Sequence, residues 1–335
     1  MLITGNIRAS GLLRSGAFLF AVLAFFLQTA AADEWKPEKS VEMIVGSSPG
    51  SGTDVTARYI QKIIQDRKML EVPMAVVNKP GGGSAIAFAD LAQHAGDPHY
   101  FVLGSYNLVT NHITGKSKLG INDFTPMALL FNDYVSFNVK ADSSIRSGGD
   151  LIGRVKKDPQ SVTFGLSSSV AGANYIALAL VMKNAGVDVK KLKIVIFSSG
   201  GKSATAVLGG HVDVQVVSAS VGAKQLEAKQ MRMLAIASPQ RLQGSLAGIP
   251  TWKDLGVSVV ASNWRNIIGP KNITAAQIAY WDQVFGQLTH TDEWKAYLDR
   301  SFSDNAYMNS AQTRKYLEEQ SAEIRSIMVD LGLVK

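Results

Sequence analysis

Cysteine is absent from all 335 residues. That excludes disulfide scaffolds, thiol nucleophiles, Cys-ligated metal centres and any lipid attached through a cysteine. Histidine is scarce: His94, His99, His112, His211 and His290 include no His-x-x-x-His pair, so a structural role is expected for each and no metal site or cofactor is expected. Phosphate-binding motifs are incomplete. After Gly50-Ser51-Gly52, Val55 stands where a dinucleotide fingerprint needs its third glycine, and before Gly201-Lys202-Ser203, Ile196 stands where a P-loop needs its first. There is no internal repeat, no low-complexity tract and no Pro/Ser-rich linker. Basic residues outnumber acidic ones by 34 to 27, yet the clusters Lys156-Lys157 and Lys190-Lys191-Lys193 are short and lack interleaved aromatics. Nucleic acid is therefore not an expected partner.

Residues 1–15 carry Arg8 and Arg14 and no acid, and the uncharged run Gly16–Leu27 follows. This matches the length of an export-signal apolar core and falls short of the roughly 20 residues that span a bilayer. Small residues at Thr29-Ala30-Ala31-Ala32 suit cleavage after Ala32, with a retained anchor as the alternative. Removing residues 1–32 leaves 32 basic against 27 acidic residues, a net of +5 over 303. An exported, soluble, thiol-free chain points to the bacterial periplasm, and not to a lipoprotein.

Short β-rich runs alternate with helical periodicity. Strands are expected at Val41–Val45, Met74–Val77, Tyr100–Gly104, Met127–Phe131, Ser136–Val139, Val162–Gly165, Leu192–Phe197, Val212–Val217, Leu234–Ala237 and Ile267–Gly269. Helices are expected from Asp54 (with Val55, Tyr59, Ile60, Ile63 and Ile64 on one face), from Ser84 to Leu91, and over 147–157, 171–185, 202–209 and 222–229. The tail from Ala275 to Leu333 reads as mostly helical. This alternation predicts an α/β fold of two doubly wound domains with parallel sheets. Without a linker, the chain is expected to cross between domains near Asn132–Val139 and Ala235–Arg241, which gives one domain of 33–132 plus 239–335 and another of 133–238.

Gly46-Ser47-Ser48-Pro49-Gly50 fits Gly-x-Ser-x-Gly, the nucleophile elbow of serine hydrolases. That elbow needs a backbone N–H from the residue after the serine, and Pro49 has none. Four small-residue loops at strand ends remain: Ser47–Asp54, Gly165–Gly172, Ser198–Gly201 and Ser218–Ser220. Each can be a tight turn with a capped helix. Together, at the carboxyl ends of strands in a doubly wound fold, they also suit an anion, because helix N-termini present unpaired N–H groups and partial positive charge.

Several segments resemble one family in order along the chain. Val45-Gly46-Ser47-Ser48-Pro49-Gly50-Ser51-Gly52-Thr53-Asp54-Val55-Thr56-Ala57-Arg58 and Val77–Gly83 are similar to the first loops of extracytoplasmic receptors of tripartite tricarboxylate transporters, the Bug family. Leu208-Gly209-Gly210-His211-Val212-Asp213, Met233–Ser238 with Arg241, Ile249-Pro250-Thr251 and Leu255-Gly256 match further along, and Asn263-Trp264-Arg265 with Gly269-Pro270 resembles the citrate-type branch.

The resemblance implies a type II periplasmic binding fold with an interdomain ligand cleft and no enzymatic activity. It implies a small organic acid as ligand, a di- or tricarboxylate with citrate favoured, delivered to integral membrane transporter subunits. One carboxylate would be held by Ser48, Pro49, Gly50, Ser51, Gly52, Thr53 and Asp54 facing Ser167, Ser168 and Ser169. The far end would be read by Ser105, Asn107, Ser199, Gly200, Ser218 and Arg265. Asn174 stands where the family often has histidine. A monomer that closes over its ligand is expected, with a sensor kinase as an alternative partner and a hydrolase using Ser48 as the remaining rival.

Overall fold

The structure, a computed structural model, describes residues 1–2, 35–167 and 172–334. Residues 3–32 of the expected export segment, and with them the cleavage site, lie outside the described residues. No described helix is long and apolar enough to cross a membrane. Everything below concerns the compact unit Pro37–Lys335.

The chain first builds β1 (Val41–Val45), α1 (Gly52–Asp66), β2 (Met74–Asn78), α2 (Ala85–Ala92), β3 (Tyr100–Gly104), α3 (Asn107–Ile113) and β4 (Thr125–Asn132). It continues with β5 (Val135–Lys140), α4 (Gly148–Lys157), β6 (Thr163–Ser167), α5 (Ala173–Asn184), β7 (Lys193–Phe197), α6 (Gly200–Leu208), β8 (Val214–Ser218), α7 (Ala219–Glu227) and β9 (Met231–Ile236). It ends with β10 (Arg265–Gly269), α8 (Ala275–Thr289), α9 (Asp292–Ser301), β11 (Asp304–Met308) and α10 (Ser310–Asp330). The strands form two sheets, one ordered β11-β4-β10-β3-β1-β2 and the other β7-β6-β8-β5-β9.

These sheets are mixed, which corrects the parallel expectation. β1 pairs parallel with β2 and β3, and β6 with β7 and β8, but β10 runs antiparallel to β3 and β4, and β5 antiparallel to β8 and β9. The cause is the crossing itself. Only Asp133 and Tyr134 separate β4 from β5, so the chain keeps its direction and enters the second sheet where β8 ends, with Val135 opposite Ser218. The carboxyl ends of both parallel sets therefore face the crossing.

α1 starts at Ser51, whose hydroxyl accepts from the Asp54 amide, and buries Ala57, Ile60, Ile63 and Ile64. Val55 was expected on that face but is 49% exposed, because five residues of helix place it about 140° from Ile60. α3 was not expected, and β11 interrupts a tail that reads as mostly helical. β11 is a short polar edge strand without alternation. It holds on to β4 antiparallel, and where the register slips between Asn305 and Met308, the Thr313 hydroxyl accepts from the Leu129 amide at 2.8 Å.

Residues 242–257 pack on the five-stranded side. Ile236 and Thr251 form a bridge, the Trp252 amide donates to Ile236 O at 2.9 Å, and the fully buried Trp252 ring meets Phe137 edge-on at 4.8 Å. Gly148 makes room for it, since a Cβ there would stand 3.0 Å from the indole. Trp252→Ala should lower stability by about 3–5 kcal/mol, read from the denaturant midpoint, with a smaller loss for Trp252→Phe.

Candidate functional site

A cavity of about 400 Å³ lies where the loops at the carboxyl ends of the two sheets meet. One wall is the start of α1. Gly50, at φ +77°, turns the backbone so that the chain enters the helix; the Gly50 amide donates to Asp54 Oδ2 at 2.8 Å. The Ser51 cap serves the amides of Asp54 and Val55. The amides of Gly52 and Thr53 precede any carbonyl four residues back, so the helix leaves them unpaired, and both residues line the cavity.

Asp54 itself is 2% exposed and does not line the cavity. Its carboxylate also accepts from Arg58 Nε at 3.1 Å and from Asn78 Nδ2 at 2.9 Å, and Asn78 Nδ2 donates to Ser47 O as well. The network ties the end of β2 to the first loop. Burial pushes the Asp54 carboxyl up, but Arg58, the Gly50 amide and Asn78 outweigh it and hold the group below its ordinary value of 3.8.

The facing wall comes from the second sheet and the crossing. Ser167 ends β6, and Asn174 in the first turn of α5 donates from Nδ2 to Ser167 O and Oγ at 3.2 and 3.0 Å. The Asn174 Oδ1 is buried without a partner. Asp133, 6% exposed, accepts from the Ser220 hydroxyl at 2.7 Å and the Ser220 amide at 3.4 Å. Ser218 and Ser220 both line the cavity, with Lys224 one helical turn further along α7.

Arg265 opens β10 on the cavity wall. Its Nη1 donates to Asn263 O at 2.9 Å and Trp264 O at 3.3 Å, while Nε is buried without a partner. Burial lowers the guanidinium from its ordinary value, offset in part by the charge of Asp133. Tyr297 closes the floor; its hydroxyl shares a 2.6 Å hydrogen bond with Thr56 and its ring stacks on Tyr59 at 4.7 Å. Arg300, Ser301 and Ser303 complete that side.

Of the residues expected at the site, Gly50, Gly52, Thr53, Ser167, Ser218 and Arg265 line the cavity. Ser168 and Ser169 lie outside the described residues. Ser48, Pro49 and Ser51 belong to the first loop but do not line it; the Ser51 hydroxyl is taken up by Ser47 at 2.6 Å and the α1 cap. Ser105 and Asn107 sit elsewhere, at the end of β3 beside the Gly82-Gly83 turn, which Asn111 holds by donating to both carbonyls. The Ser199 hydroxyl caps α6 by accepting from the Lys202 amide. Gly200 is a packing requirement, because a Cβ would stand 2.6 Å from Val221 Cγ1.

Sequence reasoning missed Asp133, Tyr297 and Arg300; it named Ser220 only as the end of a candidate loop and Asn263 only as part of the family resemblance. Asp133 stands in a segment read as a crossing, which was a usable signal; Tyr297 lies inside a helix with no local mark of a site. None of the five histidines lines the cavity.

The folded Asp54 carboxyl titrates below the unfolded one. Its stabilisation is complete above about pH 4 and is lost as pH falls through the lower folded value. Asp54→Asn should flatten the unfolding free energy against pH between about 5 and 2 relative to the parent protein, measured by urea titration; parallel curves would contradict the brace.

A profile described as "Tripartite tricarboxylate transporter family receptor" matches residues 56–333. The UPF0065 protein in the gbd 5' region of Cupriavidus necator is 24% identical over 316 residues, which cover 93% of each chain. Among solved structures, MatC of Rhodopseudomonas palustris with bound malate superposes with a TM-score of 0.71 at 19% identity, over 87% of this chain and 99% of that one. An R. palustris protein with adipate gives 0.77 at 19% identity, over 88% and 98%.

Proposed function

We propose that this chain, which belongs to the tripartite tricarboxylate transporter receptor family, holds a small organic carboxylate in the cavity between the start of α1 and Arg265. It then presents the loaded form to integral membrane subunits of a transporter, working in the periplasm. One observation carries the reading. A half-buried arginine lines the cavity, and among the described residues its hydrogen bonds run from Nη1 to main-chain carbonyls alone, opposite the unpaired amides of Gly52 and Thr53.

A guanidinium fork and a helix N-terminus are both carboxylate binders, and together they suit a ligand with a carboxylate at each end. The malate and adipate bound by two proteins of the same fold are acids of that kind. The volume of about 400 Å³ is within the usual range for small-molecule sites. Arg265, Lys224 and Arg300 set three positive charges against the single carboxylate of Asp133, which favours a polyanion of citrate type.

The lobe division proposed from the packing is 37–132 plus 264–334 against 135–260. Its hinge lies where Asp133–Val135, Ala237 and Ala261–Asn263 run side by side. In this proposal the return crossing comes later than the 235–241 read from sequence, a choice supported by the bridge of Thr251 to Ile236 and the contact of Trp252 with Phe137. Closure about this hinge would exclude water from the carboxylate contacts.

Calorimetry with citrate, malate, succinate and adipate tests the reading. Binding by at least one is expected, and Arg265→Ala should weaken it about 10- to 100-fold, as expected for lost hydrogen bonds to a charged group. Arg265→Lys should recover only part, since an ammonium lacks the fork. No heat with any acid would overturn the function; unchanged affinity in Arg265→Ala would overturn the role of the arginine.

A further inference from the structure

We infer that Asp133 determines specificity by accepting a hydrogen bond from a hydroxyl or ammonium group on the ligand, so that the cavity selects carboxylates carrying such a donor over unsubstituted ones. The inference rests on the receptor reading above and deepens it.

A carboxylate is an unexpected wall for an anion site. Asp133 is 6% exposed, lines the cavity and stands in the crossing segment between β4 and β5. Among the described residues its side-chain donors are the Ser220 amide, to Oδ1, and the Ser220 hydroxyl, to Oδ2, with the Ser218 hydroxyl also acting on it. A carboxylate offers about four acceptor positions, so capacity remains toward the cavity. The start of α7 and the charge of Arg265 favour the ionised form. Burial, the larger influence, opposes ionisation and pushes the carboxyl above its ordinary value, so the case for an acceptor rests on the position of Asp133 in the cavity wall and on its serine donors.

A ligand carboxylate placed against Asp133 would meet like charge in a poorly solvated site. A hydroxyl or ammonium there would instead complete its hydrogen bonding. Two requirements then act together: carboxylates toward Arg265 and the amides of Gly52 and Thr53, and a donor toward Asp133. Citrate, with three carboxylates and one hydroxyl, meets both.

The simpler role for Asp133 is to hold the start of α7 through Ser220. That role predicts a stability change without a change in selectivity, and so the two are separable.

The test is calorimetry on matched pairs: citrate against tricarballylate, which lacks only the hydroxyl, and malate or aspartate against succinate. The donor-bearing member of at least one pair should bind about 10-fold or more tightly. Asp133→Asn should bring that ratio to within about threefold while leaving the unsubstituted acid bound equally or better. Malate and aspartate tell whether the donor is a hydroxyl or an ammonium, and a gain with either supports the inference. Equal affinities within every pair, or a ratio that survives Asp133→Asn, would overturn it while leaving the receptor reading intact. If no acid binds, the receptor reading itself fails. Should Asp133→Asn not fold, the parent ratio decides alone, a value near one being fatal.

Discussion

Everything at the cavity depends on a strip of backbone hydrogen bonds where the chain passes between its two sheets. The Asn263 amide donates to Asp133 O at 2.8 Å, Val135 N to Ala261 O at 3.1 Å, Ala237 N to Val135 O at 2.8 Å and Ala261 N to Ala237 O at 2.8 Å. Outgoing and returning segments are thereby fixed to one another. The strip decides that Asp133 and Arg265 share a wall, and by feeding β5 in where β8 ends it turns both sets of strand ends toward one cavity. A strip made of backbone alone can also bend without unpacking either core, which is what a hinge requires.

The charges around the cavity are managed differently according to their task. Asp54 is saturated by donors and stays out of the cavity, so its charge is spent on orienting the first loop and leaves the Gly52 and Thr53 amides open. Arg265 is the opposite case, half-buried on the cavity wall with its hydrogen bonds confined to Nη1. A ligand carboxylate would give the guanidinium a charged partner, a hydrogen bond worth on the order of 1.5–3 kcal/mol. Asp133 stands between them, held by the Ser220 donors and lining the cavity. The lone positive excess of the chain contributes little to this; the work falls to a few groups whose partners are main-chain atoms.

Much of this architecture is legible in the sequence, and the failures have physical causes. Ten strands are recognisable from apolar β-rich runs, and the first helix from its amphipathic periodicity after Asp54, although it begins at Gly52 behind a Ser51 cap that reads from sequence as a ligand contact. Strand direction is not legible, because it is set by which sheet the chain enters after Asp133-Tyr134 and not by local composition. Ser199-Gly200 and Gly52-Thr53 look alike as small residues at a helix start, yet the first pair is consumed by capping and by contact with Val221, and the second faces the cavity. Only the packing of α7 distinguishes them. Arg265 is singled out by the family resemblance of Asn263-Trp264-Arg265. Tyr297 reaches the site because α9 lies across α1, a long-range contact that no local pattern announces.

The central claim is that a ligand's carboxylates are shared between Arg265 and the first turn of α1. A crystal structure of the protein grown with citrate tests it most directly. The account predicts one carboxylate within hydrogen-bond distance of the Arg265 guanidinium and another at the amides of Gly52 and Thr53. Citrate seated instead against Ser105 and Asn107, or against the start of α6, with Arg265 left unpaired, would contradict it.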